Sequence, residues 1–176
     1  MQQLAVSYSA LGKTYYAVEN YNAALVFFEK SLCCAKELHE EQNSIASLYD
    51  LIFSYSEIWP TLYILERYEE AAECHKEMIQ YGEKIHELND SLVSLEQWYQ
   101  SYNNMVRLLH EIGHLEEEVD YYKKMMICLE QWYQQEKSEE TRSVLQKKYY
   151  DFGDLLCELG RTTEAFFCFR KSIGWE

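Results

Sequence analysis

Apolar side chains recur every three or four residues along most of the chain, as in the stretch YSALGKTYYAV at residues 8–18. That spacing is typical of an amphipathic helix, which buries one face and leaves the other in solvent. The pattern predicts eight helices joined by short polar segments. Their predicted ranges are 1–18, 21–39, 42–65, 68–88, 90–112, 115–136, 139–159 and 162–174.

The same pattern returns every 47 residues. Four equally spaced tyrosines show the step most simply: Tyr8, Tyr55, Tyr102 and Tyr149. Each copy also contains a turn signal between two helices. These signals are Glu19-Asn20, Glu66-Arg67, Gly113-His114 and Gly160-Arg161.

A hairpin of two such helices cannot bury its apolar face alone, so neighbouring copies are expected to stack. The sequence therefore predicts an all-α fold, an α-solenoid of four antiparallel helix hairpins in one domain over residues 1–176. The expected repeats cover approximately residues 1–40, 41–88, 89–137 and 138–176.

The first copy, YSALGKTYYAVENYNAALVFFEKSL at residues 8–32, resembles a tetratricopeptide repeat. The residues that match the family pattern are Tyr8, Leu11, Gly12, Tyr15, Tyr21, Ala24, Phe28 and Ser31. The resemblance extends over nearly the whole chain and implies a right-handed superhelix whose first helices line a concave groove for peptides or partner helices. The family period is about 34 residues, so each hairpin here is expected to carry about 13 additional residues at its open end.

By position, the resemblance assigns eight candidate groove residues. Aromatic rings provide rigid contact area, while cations and amides hold the backbone or carboxylate groups of a peptide. The alternative for each residue is that it only covers a neighbouring helix. The candidates are Lys13, Tyr16, Tyr63, Asn103, Arg107, His110, Lys147 and Tyr150.

One charged binding mode of the family is not expected in this chain. Ser9 and Glu57 stand where the family's clamp for chaperone tails needs a cation and an asparagine. A co-chaperone that binds such tails is therefore not predicted.

The segment HEIGH at residues 110–114 matches the His-Glu-x-x-His motif of zinc peptidases. In those enzymes both histidines lie one turn apart on one continuous helix, so that both rings reach one ion. Here the predicted turn at Gly113-His114 interrupts the helix. We interpret the motif as a coincidence and keep a zinc metallopeptidase acting through His110-Glu111-x-x-His114 as a remote alternative. Neither catalysis, a cofactor nor a metal site is expected.

Two local departures from the repeat carry structural predictions. Trp59-Pro60 lies inside a predicted helix, and proline there removes a hydrogen bond, so a kink or break is expected near Ile58. The segment LEQWYQ occurs twice, and its residues Trp98 and Trp132 are expected to pack the extended hairpin ends. Polar links such as HELNDS and QQEKSEE are expected between hairpins.

Charge and cysteine content narrow the function. A formal net charge of −14 argues against binding to nucleic acid or to an anionic membrane surface. Six cysteines without a visible signal peptide or a long apolar run predict reduced thiols in a cytoplasmic protein. The predicted function is a non-catalytic protein or peptide interaction scaffold. The alternative is a self-associating segment of a larger repeat protein that pairs through its terminal repeats, because Phe166, Phe167 and Phe169 lack a covering helix.

Overall fold

The computed structural model describes residues 1–88 and 95–174, and eight α-helices make up most of that part of the chain. The all-α prediction is confirmed. The predicted start of the fifth helix at residue 90 lies outside the described residues. No helix in the described ranges combines the length and the apolar composition that a bilayer crossing requires. The helices are α1 (Gln2–Ala17), α2 (Tyr21–Gln42), α3 (Ile45–Ile64), α4 (Tyr68–Leu88), α5 (Leu95–Ile112), α6 (Leu115–Glu136), α7 (Glu139–Glu158) and α8 (Thr162–Ser172).

The four predicted turns within the hairpins share one geometry. The first residue of each turn has a positive φ: Glu19 and Glu66 at 59°, Gly113 at 74° and Gly160 at 71°. The following amide then donates back to a carbonyl five residues earlier, as in Asn20 N to Tyr15 O at 3.0 Å. This pair of features is the Schellman stop, which satisfies carbonyls at the end of a helix. The second helices consequently begin at evenly spaced residues: Tyr21, Tyr68, Leu115 and Thr162.

The links from α2 to α3 and from α6 to α7 are two residues long, as the predicted helix ranges indicated. Only Lys137 and Ser138 separate α6 from α7, so the QQEKSEE segment is mostly helical rather than a polar link. Lys137 adopts a positive φ of 48°, and the Ser138 hydroxyl accepts from the Thr141 amide at 3.1 Å. Asn43 and Ser44 join α2 to α3 in the same way, with φ of 42° at Asn43 and a serine cap. One left-handed residue followed by a capping serine is enough to end one helix and start the next.

The chain divides into two compact units, Met1–Val93 (unit 1) and Ser94–Glu176 (unit 2). In unit 1, α2 packs against both α1 and α3, and α3 also packs against α4. In unit 2, α6 packs against both α5 and α7, and α7 also packs against α8. Each unit is therefore a pair of antiparallel hairpins in which a second helix lies between two first helices.

The first and fourth hairpins close around a glycine. A Cβ atom at Gly12 would lie 2.5 Å from the Phe28 ring, and one at Gly153 would lie 2.6 Å from the Phe169 ring. A glycine inside a helix costs about 1 kcal/mol relative to alanine. The close approach of a ring to the helix backbone explains why the chain carries glycine at both places.

In the second hairpin the large side chain lies on the first helix and the smaller one on the second helix. Trp59 takes the position of Gly12, and the smaller His75 takes the position of Phe28, with the two rings edge-to-face at 5.0 Å. Of the predicted kink or break near Ile58, the break does not occur, since α3 continues through Pro60 to Ile64. A kink within this continuous helix stays a prediction. Ile58, Thr61 and Leu62 are buried around the proline, and Thr61 Oγ1 donates to Glu57 O at 2.8 Å. Burial on both sides of Pro60 keeps the segment helical despite the missing amide.

The predicted role of the two tryptophans in packing is confirmed. Trp98 near the start of α5 is buried and stacks on Tyr102, with centroids 5.6 Å apart. Trp132 near the end of α6 lies against Tyr99 at 6.1 Å. These rings fill the extended end of the third hairpin.

At one repeat position the first, second and fourth hairpins carry alanine, whereas the third hairpin carries glutamate. Ala24, Ala71 and Ala165 are at most 1% exposed, and the corresponding Glu118 is 3% exposed. Burial raises the pKa of the Glu118 carboxyl above its ordinary value, and His110, whose Nδ1 lies 3.3 Å from Oε2, offsets part of that rise. A buried carboxylate is costly when it is ionised. Because the other three hairpins carry a buried alanine here, packing of the hairpin does not require a glutamate.

All six cysteines are free thiols. Burial raises the pKa of Cys74 and of Cys168 to about 11 in each case. These two side chains are therefore protonated at neutral pH and act as small apolar groups, Cys168 in the core and Cys74 at its edge.

The Gly12 contact yields a stability prediction. Gly12→Ala is expected to lower the free energy of unfolding by about 1–3 kcal/mol, because the new methyl group overpacks the Phe28 ring. Urea denaturation followed by far-ultraviolet circular dichroism measures the change. In a Phe28→Leu background the same alanine is expected to cost little, and a stabilising Gly12→Ala would contradict the packing described here.

The Glu118 position yields a prediction on pH. The carboxyl has a higher pKa in the folded chain than in the unfolded one, so its protonation favours folding and its ionisation opposes it. Glu118→Gln is therefore expected to raise the free energy of unfolding at pH 7 by about 1 kcal/mol. This gain should shrink as the pH falls through the folded pKa towards 4.5, the ordinary value of the carboxyl. The measurement is the urea midpoint at the two pH values.

Glu116→Gln is the matched control, because Glu116 lies in the same helical turn but is exposed. The control should show no stabilisation at pH 7. A gain for Glu118→Gln that stays equal at both pH values would show that the charge is not the cause.

Candidate functional site

Unit 1 contains a cleft between α1 and α3, and α2 forms its floor. We call this the unit 1 cleft. Its first recess has a volume of about 300 Å³. Val6 and Ala10 of α1, Leu38 of α2 and Phe53 of α3 supply apolar surface there. Val6 is 66% and Phe53 50% exposed, so apolar area within the cleft is open to a ligand.

A second recess of about 270 Å³ lies further along the same two helices. Tyr16 and Ala17 of α1 face Pro60 of α3 across it, above Phe28 of α2. Lys13 borders both recesses. The two recesses therefore follow one another along a single cleft.

A short polar bridge crosses the unit 1 cleft. Glu57 Oε1 of α3 accepts from Ser9 Oγ of α1 at 2.7 Å and lies 3.0 Å from the Lys13 ammonium. The Lys13 nitrogen also lies 4.8 Å from the centroid of the Phe53 ring. This bridge ties the two first helices together at one point, while apolar surface remains on both sides of it.

Unit 2 has a cleft at the corresponding place, between α5 and α7 above α6, with a volume of about 320 Å³. We call it the unit 2 cleft. Carboxylates dominate its lining: Arg107 and His110 of α5 face Asp151, Asp154 and Glu158 of α7, with Glu118 and Glu111 nearby. The surface favours positively charged groups.

The structure brings half of the predicted groove residues into these clefts. Lys13 and Tyr16 line the unit 1 cleft, and Arg107 and His110 line the unit 2 cleft. The other four, Tyr63, Asn103, Lys147 and Tyr150, are not among the residues that line the clefts.

Two of these four make contacts with the second helix of their own hairpin. The Tyr63 ring lies edge-to-face with Tyr68 at 5.2 Å, and the Tyr150 ring lies 5.5 Å from Phe169. Lys147 is exposed on α7, and Asn103 is half-buried on α5. For Tyr63 and Tyr150, contact with a neighbouring helix was the alternative left open by the sequence.

Sequence reasoning missed several residues of the clefts. Asp154 shares the repeat position of Lys13 and Arg107, so the 47-residue step already pointed to it. Phe53 carried no such signal, because its exposure depends on the distance between α1 and α3. Glu57 was noted only as a residue that fails the family's clamp.

The HEIGH segment is divided between two helices, as predicted. α5 ends at Ile112, Gly113 has a positive φ, and His114 is the N-cap of α6. His110 Nδ1 lies 3.3 Å from Glu118, and His114 Nδ1 lies 3.9 Å from Glu117. Within residues 1–88 and 95–174, no group of three or more His, Cys, Asp or Glu side chains is arranged to hold a metal ion. The two imidazoles thus lie next to different carboxylates, His110 next to Glu118 and His114 next to Glu117.

Comparison with known proteins supports the repeat architecture. Residues 4–45 match the family model of the tetratricopeptide repeat. No curated protein matches the sequence. Among solved structures, BtubC (BKLC) from P. vanneervenii is similar with a TM-score of 0.62 and 16% identity. The match covers 98% of this chain and 63% of BtubC.

A putative kinesin light chain from Podosopora anserina, with nearly identical TPR-like repeats, gives a TM-score of 0.60 at 13% identity. That match covers 96% of this chain and 72% of the kinesin light chain. At these identities the likeness concerns the fold. The chain therefore contains a tetratricopeptide repeat, at residues 4–45, within a fold of tetratricopeptide-like helical repeats.

Proposed function

We propose that this chain is a non-catalytic interaction scaffold that binds segments of partner proteins in the clefts between its first helices. The observation that carries the proposal is the unit 1 cleft, where two recesses follow one another along α1 and α3. A line of recesses suits successive side chains of one extended or helical segment.

The chemistry of the cleft walls also suits a peptide. Phe53 and Tyr16 offer aromatic contact area, and Ser9, Lys13 and Glu57 place polar groups between the apolar recesses. Partner sites commonly combine such aromatic anchors with a few polar groups that fix the register of the bound segment. A cleft also lies at the corresponding place in unit 2, but carboxylates dominate its lining.

Blocking the unit 1 cleft tests this function. Short random peptides displayed on phage are selected on the immobilised full chain, and their affinities are measured by fluorescence anisotropy. Ala10 is an exposed helical residue that lines the first recess, so Ala10→Trp should fill the cleft without disturbing the core. We expect the variant to weaken the peptides that bind unit 1 by at least about tenfold.

Ala46→Trp is the matched control, because Ala46 is an exposed helical alanine of α3 outside both recesses. The control should leave the affinities unchanged. Selection of no peptide, or of peptides that Ala10→Trp leaves equally tight, would contradict the proposed role of this cleft.

Self-association is a second candidate function, favoured by the surface of α8. Phe166 and Phe167 are 65% and 57% exposed, whereas Phe169 packs against Gly153. A cavity of about 900 Å³ borders α8 at Lys171 and is otherwise lined by residues of α6 and α7 together with Leu95 of α5. Exposed aromatic pairs of this kind are common where another surface docks.

Sedimentation velocity over a range of concentrations tests self-association. If α8 mediates pairing, the wild-type chain should form dimers as its concentration rises, and a Phe166→Ser, Phe167→Ser variant should remain monomeric. Val26→Ser, at another exposed apolar residue, is the control. A wild-type chain that stays monomeric at every concentration would exclude pairing through α8.

A further inference from the structure

Glu57 is a buried acid with one unused oxygen. Its side chain is 8% exposed, and both the Ser9 and Lys13 contacts go to Oε1. Oε2 is buried, and no donor in the described part of the chain reaches it. Leaving a buried acceptor unpaired destabilises the fold, and more so when the group is charged.

The repeat does not require an acid at this position. The equivalent residues in the other hairpins are Ala10, Asn104 and Asp151, so an uncharged side chain is compatible with the helix. Glu57 also lines the second recess of the unit 1 cleft. The residue with the unpaired oxygen thus contributes to the lining of a recess that already has the shape of a binding site.

The charge of unit 1 indicates what would reach this oxygen. Residues 1–93 carry fifteen acidic and six basic side chains, a formal net charge of −9. Asp50 adds a second carboxylate to the lining of the first recess. A positively charged donor is attracted by this field, whereas an acidic segment is repelled.

Lys13 is the only cation of the described chain that borders the recesses. Its side chain is 57% exposed, and an ion pair with one exposed partner is weak. Another cation can therefore compete with the Lys13 ammonium for the Glu57 carboxylate. A guanidinium is well suited to replace it, because its planar fork can donate to both oxygens of a carboxylate.

We propose that the unit 1 cleft binds a basic, apolar segment of a partner protein, in which an arginine or lysine side chain donates to Glu57 Oε2. Apolar side chains on either side of that basic residue occupy the two recesses. The inference rests on the proposed function and adds to it the chemical class of the ligand and the residue that selects it.

A double-mutant cycle tests the proposal with a peptide selected for binding to the unit 1 cleft. The selected peptides should contain a basic residue with apolar neighbours. Replacing that residue by an uncharged isostere, citrulline for arginine or norleucine for lysine, should weaken binding to the wild-type chain about 10- to 100-fold. Glu57→Gln should weaken the basic peptide by a similar factor and leave the uncharged peptide almost unaffected.

A second pair of variants keeps the buried carboxylate intact. Lys13→Ala removes the competing cation and is expected to tighten binding of the basic peptide about two- to fivefold. Lys84→Ala removes the same charge on α4, away from the recesses, and should have a smaller effect. Circular dichroism and urea midpoints show whether each variant remains folded.

The outcomes separate this inference from the proposed function. If the cleft selects peptides without a basic residue, or if the peptide and Glu57 changes act independently, Glu57 is not the receptor although the cleft still binds segments. If Lys13→Ala weakens the basic peptide, Lys13 is not a competitor and the inference is wrong. If no selected peptide depends on the cleft, the proposed function fails and this inference fails with it.

Discussion

One helix shared between two neighbours determines the architecture of each unit. α2 packs against α1 on one side and α3 on the other, and α6 does the same for α5 and α7. Because the middle helix supplies the apolar contact, the two outer helices do not need to close on each other. In unit 1 they are tied by the polar bridge of Ser9, Lys13 and Glu57, with recesses on both sides. The clefts therefore result from the packing of two first helices against one shared second helix.

The turns hold each hairpin in the same phase. A left-handed residue followed by the backbone hydrogen bond of a Schellman stop ends α1, α3, α5 and α7 alike. Equivalent side chains can therefore be compared between hairpins. At some positions the comparison shows side chains chosen for packing, as where glycine faces phenylalanine. At others a residue is not explained by packing, as where Glu118 replaces a buried alanine. Glu57 and Glu118 both place a carboxylate at the wall of a cleft at a cost in folding free energy.

The sequence predicted the features that depend on short segments. Helix spacing and turn residues are local properties, so the eight helices and the break at Gly113 could be read from the pattern of apolar residues. The continuity of α3 at Pro60 could not, because it depends on burial of Ile58 and Leu62 by other helices. The clefts depend on distances between helices that are far apart in sequence. The repeat step therefore pointed to Lys13 and Arg107, which line clefts, but did not reveal the exposure of Phe53.

The central claim is that a shared second helix leaves a cleft between two first helices and that this cleft binds a peptide. A crystal structure of the full chain with a bound peptide tests this claim most directly. The expected result is electron density for the peptide between α1 and α3, against Phe53 and Pro60 and above Phe28. Closure of α1 directly onto α3, with the peptide on another face of the molecule, would contradict this assignment.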